Sequence, residues 1–276
     1  MGDELFPALL RYWRGRRGLS QLDLALEAGV SARHLSFLES GRARPGEEMV
    51  LRLFSVLAAP LREQNQALLA AGFAPRFPAP ALDAMAPEVE QALEQMMAQH
   101  EPFPLVVLSL DGTVVRSNRA ARTLFGAFVS EPAALRQPLD MFSLLLDERL
   151  MKPFVIEWEL LARSMVTRLH RERLQRGDSK LAAVLERVLS FPGVPRAWRQ
   201  PDFSTETHPT LRVQLARGAL RVGFLVTVTV FSAPQQVTLD ELRIESCFPL
   251  DDQTRKVCER FARAPSTRKR PVRRRG

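Results

Sequence analysis

The side chains able to do chemistry gather in one short run. Ser20-Gln-Leu-Asp-Leu-Ala25-Leu-Glu-Ala-Gly29-Val-Ser31-Ala-Arg-His-Leu35-Ser-Phe-Leu-Glu39-Ser-Gly41-Arg-Ala-Arg-Pro45 carries hydroxyl, amide and guanidinium groups on two short helical patterns separated by Gly29. Such groups donate hydrogen bonds to phosphate oxygens and base edges, and two short helices about a glycine turn, held on a third by small apolar residues, match a helix-turn-helix. Elsewhere the chain has no Gly-x-Ser-x-Gly elbow, Walker loop, Rossmann fingerprint or His-Glu-x-x-His helix, so an enzyme is the weakest of the functional classes weighed. Cys247 and Cys258 are too few for a disulfide framework and read as reduced, structural thiols. The four histidines stand singly, so no metal and no cofactor is expected. A haem reading through His100, His170 or His208 falls for the same reason.

Helices must position that run. Phe6, Leu9, Leu10 and Trp13 form an i, i+3, i+4, i+7 stripe, Ser20 caps a short helix ending at Gly29, and Ser31 caps another whose Leu35 and Leu38 face inward. Gly41 follows its end, where a left-handed residue stops helices. Val50, Leu53, Phe54 and Leu57 repeat the stripe, and Leu61–Ala71 reads as one more helix. The prolines of Ala74-Pro-Arg-Phe-Pro-Ala-Pro80 then break the pattern. The expected division is an all-α DNA-binding domain over 1–74, a linker over 75–81, a second domain over 82–264 and a basic, disordered tail over 265–276.

Charge supports the same division. Residues 1–76 hold 10 basic and 8 acidic side chains, the next section is balanced, and 265–276 hold 6 basic and none acidic. The formal charge of +8 therefore sits mostly in the tail, and a DNA reading has to rest on placed residues. With 46% hydrophobic and 25% charged residues over 276 positions, there is enough apolar material for two folded cores. No stretch approaches the roughly 18 apolar residues of a membrane span, and the N-terminus sets acids before its apolar positions, opposite to a signal peptide. A cytoplasmic chain with no membrane insertion is expected.

The second domain reads as α+β. Leu105–Leu110 and Val114–Ser117 form strands about the Asp111-Gly112 turn, and a helix follows over 118–126. Helices are expected over Lys152–Gln175, with Trp158, Leu161, Met165 and Leu169 as its stripe, and over Lys180–Leu189. Strands return over Leu211–Leu215, Leu220–Phe231 and Val237–Phe248, the first two turning at Gly218.

Gln21, Ala25, Gly29, Ser31, Leu35, Glu39, Gly41 and Pro45 fall in register with the Xre/Cro/C1-type helix-turn-helix family, which this first quarter of the chain resembles. The resemblance implies binding to double-stranded DNA, with the helix from Ser31 in the major groove and Ala32, Arg33, Ser36 and Phe37 as its base readers. Arg33 could then bridge O6 and N7 of guanine, with a phosphate contact as the alternative, while Ala32 and Phe37 could touch a thymine methyl. Gln21 takes the family's backbone-positioning place, and Arg42 and Arg44 lie in a loop that reaches phosphate. Ser31 caps the helix and could also contact phosphate. Glu39 would repel phosphate and reads as an intramolecular partner.

The Ala71-Gly-Phe-Ala-Pro75 junction, Asn118-Arg-Ala-Ala121, Glu157-Trp158, His208-Pro209 and the stretch from Thr229-Val-Phe231 to Glu245-Ser-Cys-Phe-Pro249 resemble bacterial regulators with an MmyB-like domain, over residues 82–262. Glu157 departs from the Asn such proteins often carry before the Trp. The resemblance implies a PAS-like fold with a pocket for a fatty acid or similar apolar molecule. Val107, Val115, Phe125, Phe142, Trp158 and Phe224 are the candidate walls, and plain core is the competing reading for each. Two functions follow: a homodimeric regulator whose ligand shifts operator affinity, or a constitutive repressor whose second domain serves only dimerisation.

Overall fold

The computed structural model describes residues 5–81, 84–176, 179–202 and 211–263. The His208-Pro209 motif and the basic tail lie outside the described residues.

Five helices form the N-terminal unit: α1 (Leu5–Arg16), α2 (Gln21–Glu27), α3 (Ala32–Glu39), α4 (Glu47–Val56) and α5 (Leu61–Ala70). Their stripes meet in one core that includes Phe6, Leu10, Trp13, Leu24, Leu35, Leu38, Leu53 and Phe54. Ser20 accepts from the Asp23 amide while Asp23 accepts from the Ser20 amide, a reciprocal cap that sets where α2 begins. The turn into α3 passes through Gly29 at φ +64°, a left-handed conformation that costs a Cβ-bearing residue about 1–2 kcal/mol. Ser31 then caps α3 by accepting from the His34 amide.

The second unit contains α6 (Pro87–Gln99), β1 (Leu105–Leu108), β2 (Val114–Ser117), α7 (Arg119–Phe128), α8 (Met141–Leu146), α9 (Trp158–Arg176), α10 (Ser179–Leu189), β3 (Leu211–Arg217), β4 (Leu220–Thr229), α11 (Val237–Glu241), β5 (Arg243–Pro249) and α12 (Asp252–Arg263). The strands form one antiparallel sheet in the order β2-β1-β5-β4-β3. Thus an all-α helix-turn-helix unit precedes an α+β unit. One face of the sheet, with Val106, Leu108, Leu215 and Phe224, packs with α7–α10 in the main core. The other, with Leu105, Val107 and Ile244, packs with Leu93 of α6 and Met85. All four residues of β1 are buried, because both faces of the strand are covered.

Several element ends shift by a residue or two, and two boundaries depart furthest from the sequence expectation. The helix expected from Lys152 starts at Trp158: Lys152–Phe154 make one 3-10 turn, Val155 bridges Leu215, the Ile156 amide donates to the Gln214 carbonyl, and Glu157 sits at φ +53°. Pro153 permits a first turn, but the backbone is then diverted to the sheet edge. The strand expected over 237–248 begins only at Arg243. Val237–Glu241 instead curl into α11, whose first amide donates to the Pro78 carbonyl and whose Thr238 hydroxyl donates to the Pro80 carbonyl.

The two units touch through charge as well as backbone. Arg62 of α5 donates to Glu241 at 2.6 and 3.1 Å, and Lys180 of α10 donates to the same buried carboxylate at 3.1 Å. Arg16 of α1 donates to the carbonyls of Arg173, at 2.7 Å, and Leu174 on α9.

Candidate nucleic-acid interface and ligand cavity

The residues expected to read DNA share the α2–α3 region. Arg33 and Arg42 are exposed, Ala32, Ser36 and Phe37 are half-buried, and Arg33 places its guanidinium over the Phe37 ring at 5.4 Å. Stacking of this kind stiffens the fork without consuming its hydrogen-bond donors. Ser31 and Arg44 are exposed, and Ser31 stands at the N-terminal, electropositive end of α3.

Behind this surface Glu39 is buried and bound on several sides. Arg14 donates to it at 2.5 and 3.0 Å, Gln21 donates through Nε2 at 2.6 Å, and Arg11 donates to its backbone carbonyl. Burial pushes the Glu39 carboxyl up, but hydrogen bonds from Arg14 and Gln21 outweigh it and hold the group below its ordinary value. Glu39 therefore ties α1, α2 and α3 together, and Gln21, the first residue of α2, is a strut in that tie.

In the second unit a cavity of about 80 Å³ lies between the sheet and the layer made by α7, α8 and α9. Of the candidate walls, Phe125, Phe142 and Phe224 line it. Val107 and Val115 do not: side chains alternate along a strand, and these two belong to the cluster on the opposite face, while Val106 and Leu108 face the cavity. Trp158 is not a wall either. Its Nε1 donates to the Leu145 carbonyl at 2.9 Å and Lys152 covers its ring at 4.1 Å, so it pins α9 to α8.

Sequence reasoning missed several lining groups. Met141, Met151 and Met165 bring flexible thioethers to the wall. Gly112, at φ +87°, lets the Phe142 ring approach so closely that a Cβ there would lie 2.4 Å from it. At one part of the lining stand Arg168, Glu172, Arg243 and Glu245. Arg168 donates twice to Glu245 Oε1, at 3.2 Å each, across from α9 to β5. The available signals were a charged residue within an otherwise alternating strand, and Arg168 lying between Met165 and Glu172 on one helical face.

The remaining reactive groups have structural settings. His170 is buried with Nε2 against the Trp198 carbonyl at 2.8 Å, and His100 Nε2 meets the Cys247 carbonyl at 3.0 Å. Burial pushes the Cys258 thiol up to about 11 and Cys247 higher still, so neither is a thiolate at neutral pH. Among the described residues no helix is long and apolar enough to cross a membrane.

Residues 89–261 match the family described as MmyB-like transcription regulator ligand binding domain. The chain belongs to this family. Residues 10–64 match a family described as helix-turn-helix, so a helix-turn-helix unit precedes the ligand-binding-domain match. No curated protein matches the chain. A solved structure entitled "Structure of an RNA-binding Light-Oxygen-Voltage Receptor" is similar at 13% identity and a TM-score of 0.26, covering 92% of this chain; the chain spans 56% of that one.

Proposed function

We propose that this MmyB-like regulator binds double-stranded operator DNA as a homodimer in the cytoplasm, and that a fatty-acyl ligand in its PAS-like second domain changes operator affinity. In this reading Ala32, Arg33, Ser36 and Phe37 face base edges, and Gln21, Ser31, Arg42 and Arg44 face phosphate. The division at the 75–81 linker separates reader from sensor. The strand order and the cavity beneath the sheet support the PAS-like assignment.

One observation carries the coupling. Helix α9 lines the cavity with Met165, Arg168 and Leu169, and the same helix presents the Arg173 and Leu174 carbonyls to Arg16 of the DNA-binding unit. A ligand that displaces α9 therefore acts on an element the reader touches, which is the differential contact a population shift requires. An acyl chain must widen the cavity, since 80 Å³ is below the roughly 150 Å³ of an engineered cavity that accepts benzene. The three methionines supply adaptable walls. The small volume favours the constitutive repressor as second reading, with the domain serving dimerisation alone.

Operator affinity measured before and after delipidation, with lipid identified by mass spectrometry of the denatured protein, tests the reading. Copurifying acyl chains whose removal changes affinity are expected. Equal affinity would leave a pocket without a switch, because a ligand that binds two states equally shifts neither.

A further inference from the structure

We propose that the polar part of the cavity selects an uncharged head group carrying both a hydrogen-bond acceptor and a donor, such as the carboxamide of an N-acyl ligand, over a free carboxylate. The inference rests on the acyl-ligand reading above and deepens it. Arg168 Nε is buried and makes no hydrogen bond, its nearest carboxylate oxygen being Glu172 Oε1 at 3.9 Å. Both bonds from the Arg168 guanidinium nitrogens go to Oε1 of Glu245, and Oε2 accepts none among the described residues. The lining thus offers one orphan donor and one open acceptor on a single salt-bridged pair.

Charge decides which head fits. The lining holds two guanidiniums, Arg168 and Arg243, against two carboxylates, Glu172 and Glu245. Arg243 is further occupied by the Asp240 and Leu242 carbonyls, at 2.9 Å each. The cluster is balanced and only partly open to solvent, so an added carboxylate enters as an uncompensated charge facing Glu245, and it would have to take Arg168 from its partner. A carboxamide makes no such demand. Its carbonyl oxygen accepts from Arg168 Nε and its N–H donates to Glu245 Oε2, leaving the ion pair whole.

Calorimetric titration of the full chain, delipidated, with decanamide and with decanoate at about pH 8, where a carboxylic acid is ionised, separates the two. The amide is expected to bind at least about tenfold more tightly, a difference of about 1.4 kcal/mol. Glu245→Gln removes the facing charge and is expected to raise decanoate affinity and erase most of that ratio. Decanoate binding the wild-type chain as tightly as decanamide overturns the proposal while leaving an acyl pocket in place. Binding of neither overturns the acyl-ligand reading itself, and this proposal with it. The wild-type ratio is decisive even where Glu245→Gln fails to fold.

Discussion

At the residue scale, Arg33 and Glu39 differ in setting: under the proposed function Arg33 serves recognition, whereas Glu39 is bound inside the helix-turn-helix. Arg33 is exposed, with its planar donors stacked over Phe37, a geometry suited to a bidentate guanine contact. Arg33→Ala is expected to lose discrimination at one base pair, by about 1–3 kcal/mol, and a specificity profile over randomised operators should flatten there. A loss equal on all sequences would make Arg33 a phosphate anchor. Glu39 works inward. Glu39→Gln is expected to cost about 2 kcal/mol at neutral pH, read as a shift in the urea midpoint, because Arg14 loses a buried ionic partner. Since the folded carboxyl is held below its ordinary value, its contribution is complete above about pH 4.3 and fades as pH falls through the lowered folded value. The gap between wild type and Glu39→Gln should therefore narrow in acid. A gap independent of pH would mean that the ionised pair contributes nothing.

At the element scale, Asn118 joins three segments with one side chain. Its Oδ1 accepts from the Ala121 amide, capping α7, and from the Leu105 amide at the start of β1, while Nδ2 donates to the Phe103 carbonyl at 2.7 Å. The site is buried, so Asn118→Ala would leave backbone groups of β1 and α7 without water or partner. A loss of about 2–4 kcal/mol is expected, more than the cap of about 1 kcal/mol alone, with a matching fall in melting temperature. A loss near 1 kcal/mol would show that only the cap matters. The helix and its start are legible from sequence because capping is local. The link to β1 is not, since Asn118 and Leu105 meet only once the β1–β2 hairpin forms. Helices α6, α8 and α12 lie outside the sequence expectation too: α6 opens at Pro87 with no side-chain cap and buries only Leu93, α8 is six residues long, and α12 is capped by Asp251. The opposite error at Val237–Glu241 has a clear cause: five residues of mixed pattern suit either period, and the carbonyls of Pro78 and Pro80 decide for helix.

At the scale of the whole molecule, Glu241 connects the N-terminal helical unit to the second unit. Burial pushes its carboxyl up, but hydrogen bonds from Arg62 and Lys180 outweigh this and hold it below the ordinary value. Glu241→Ala would leave two cations facing each other across the junction. The expected outcome is a loosened junction, seen as an increase of about three- to tenfold in tryptic cleavage after exposed Arg76, with both units still folded by circular dichroism. An unchanged rate would mean that the backbone bonds at Pro78 and Pro80 hold the junction without it. The helix-turn-helix was determined by sequence alone: caps at Ser20 and Ser31, the Gly29 turn and the apolar stripes all act over a few residues, and Glu39 finds Arg14 only 25 positions away. The sequence also determined that strands surround an Asp-Gly turn. It did not determine which strand residues meet the cavity, because alternation fixes a period of two but not its phase when both faces are buried, and Val107 and Val115 consequently fall on the far side of the sheet. Only tertiary structure joined Arg168 to Glu245 across 77 residues and Arg62 to Glu241 across 179. Those pairings arise where α9, β5, α5 and α11 are packed together, and no local propensity encodes that packing.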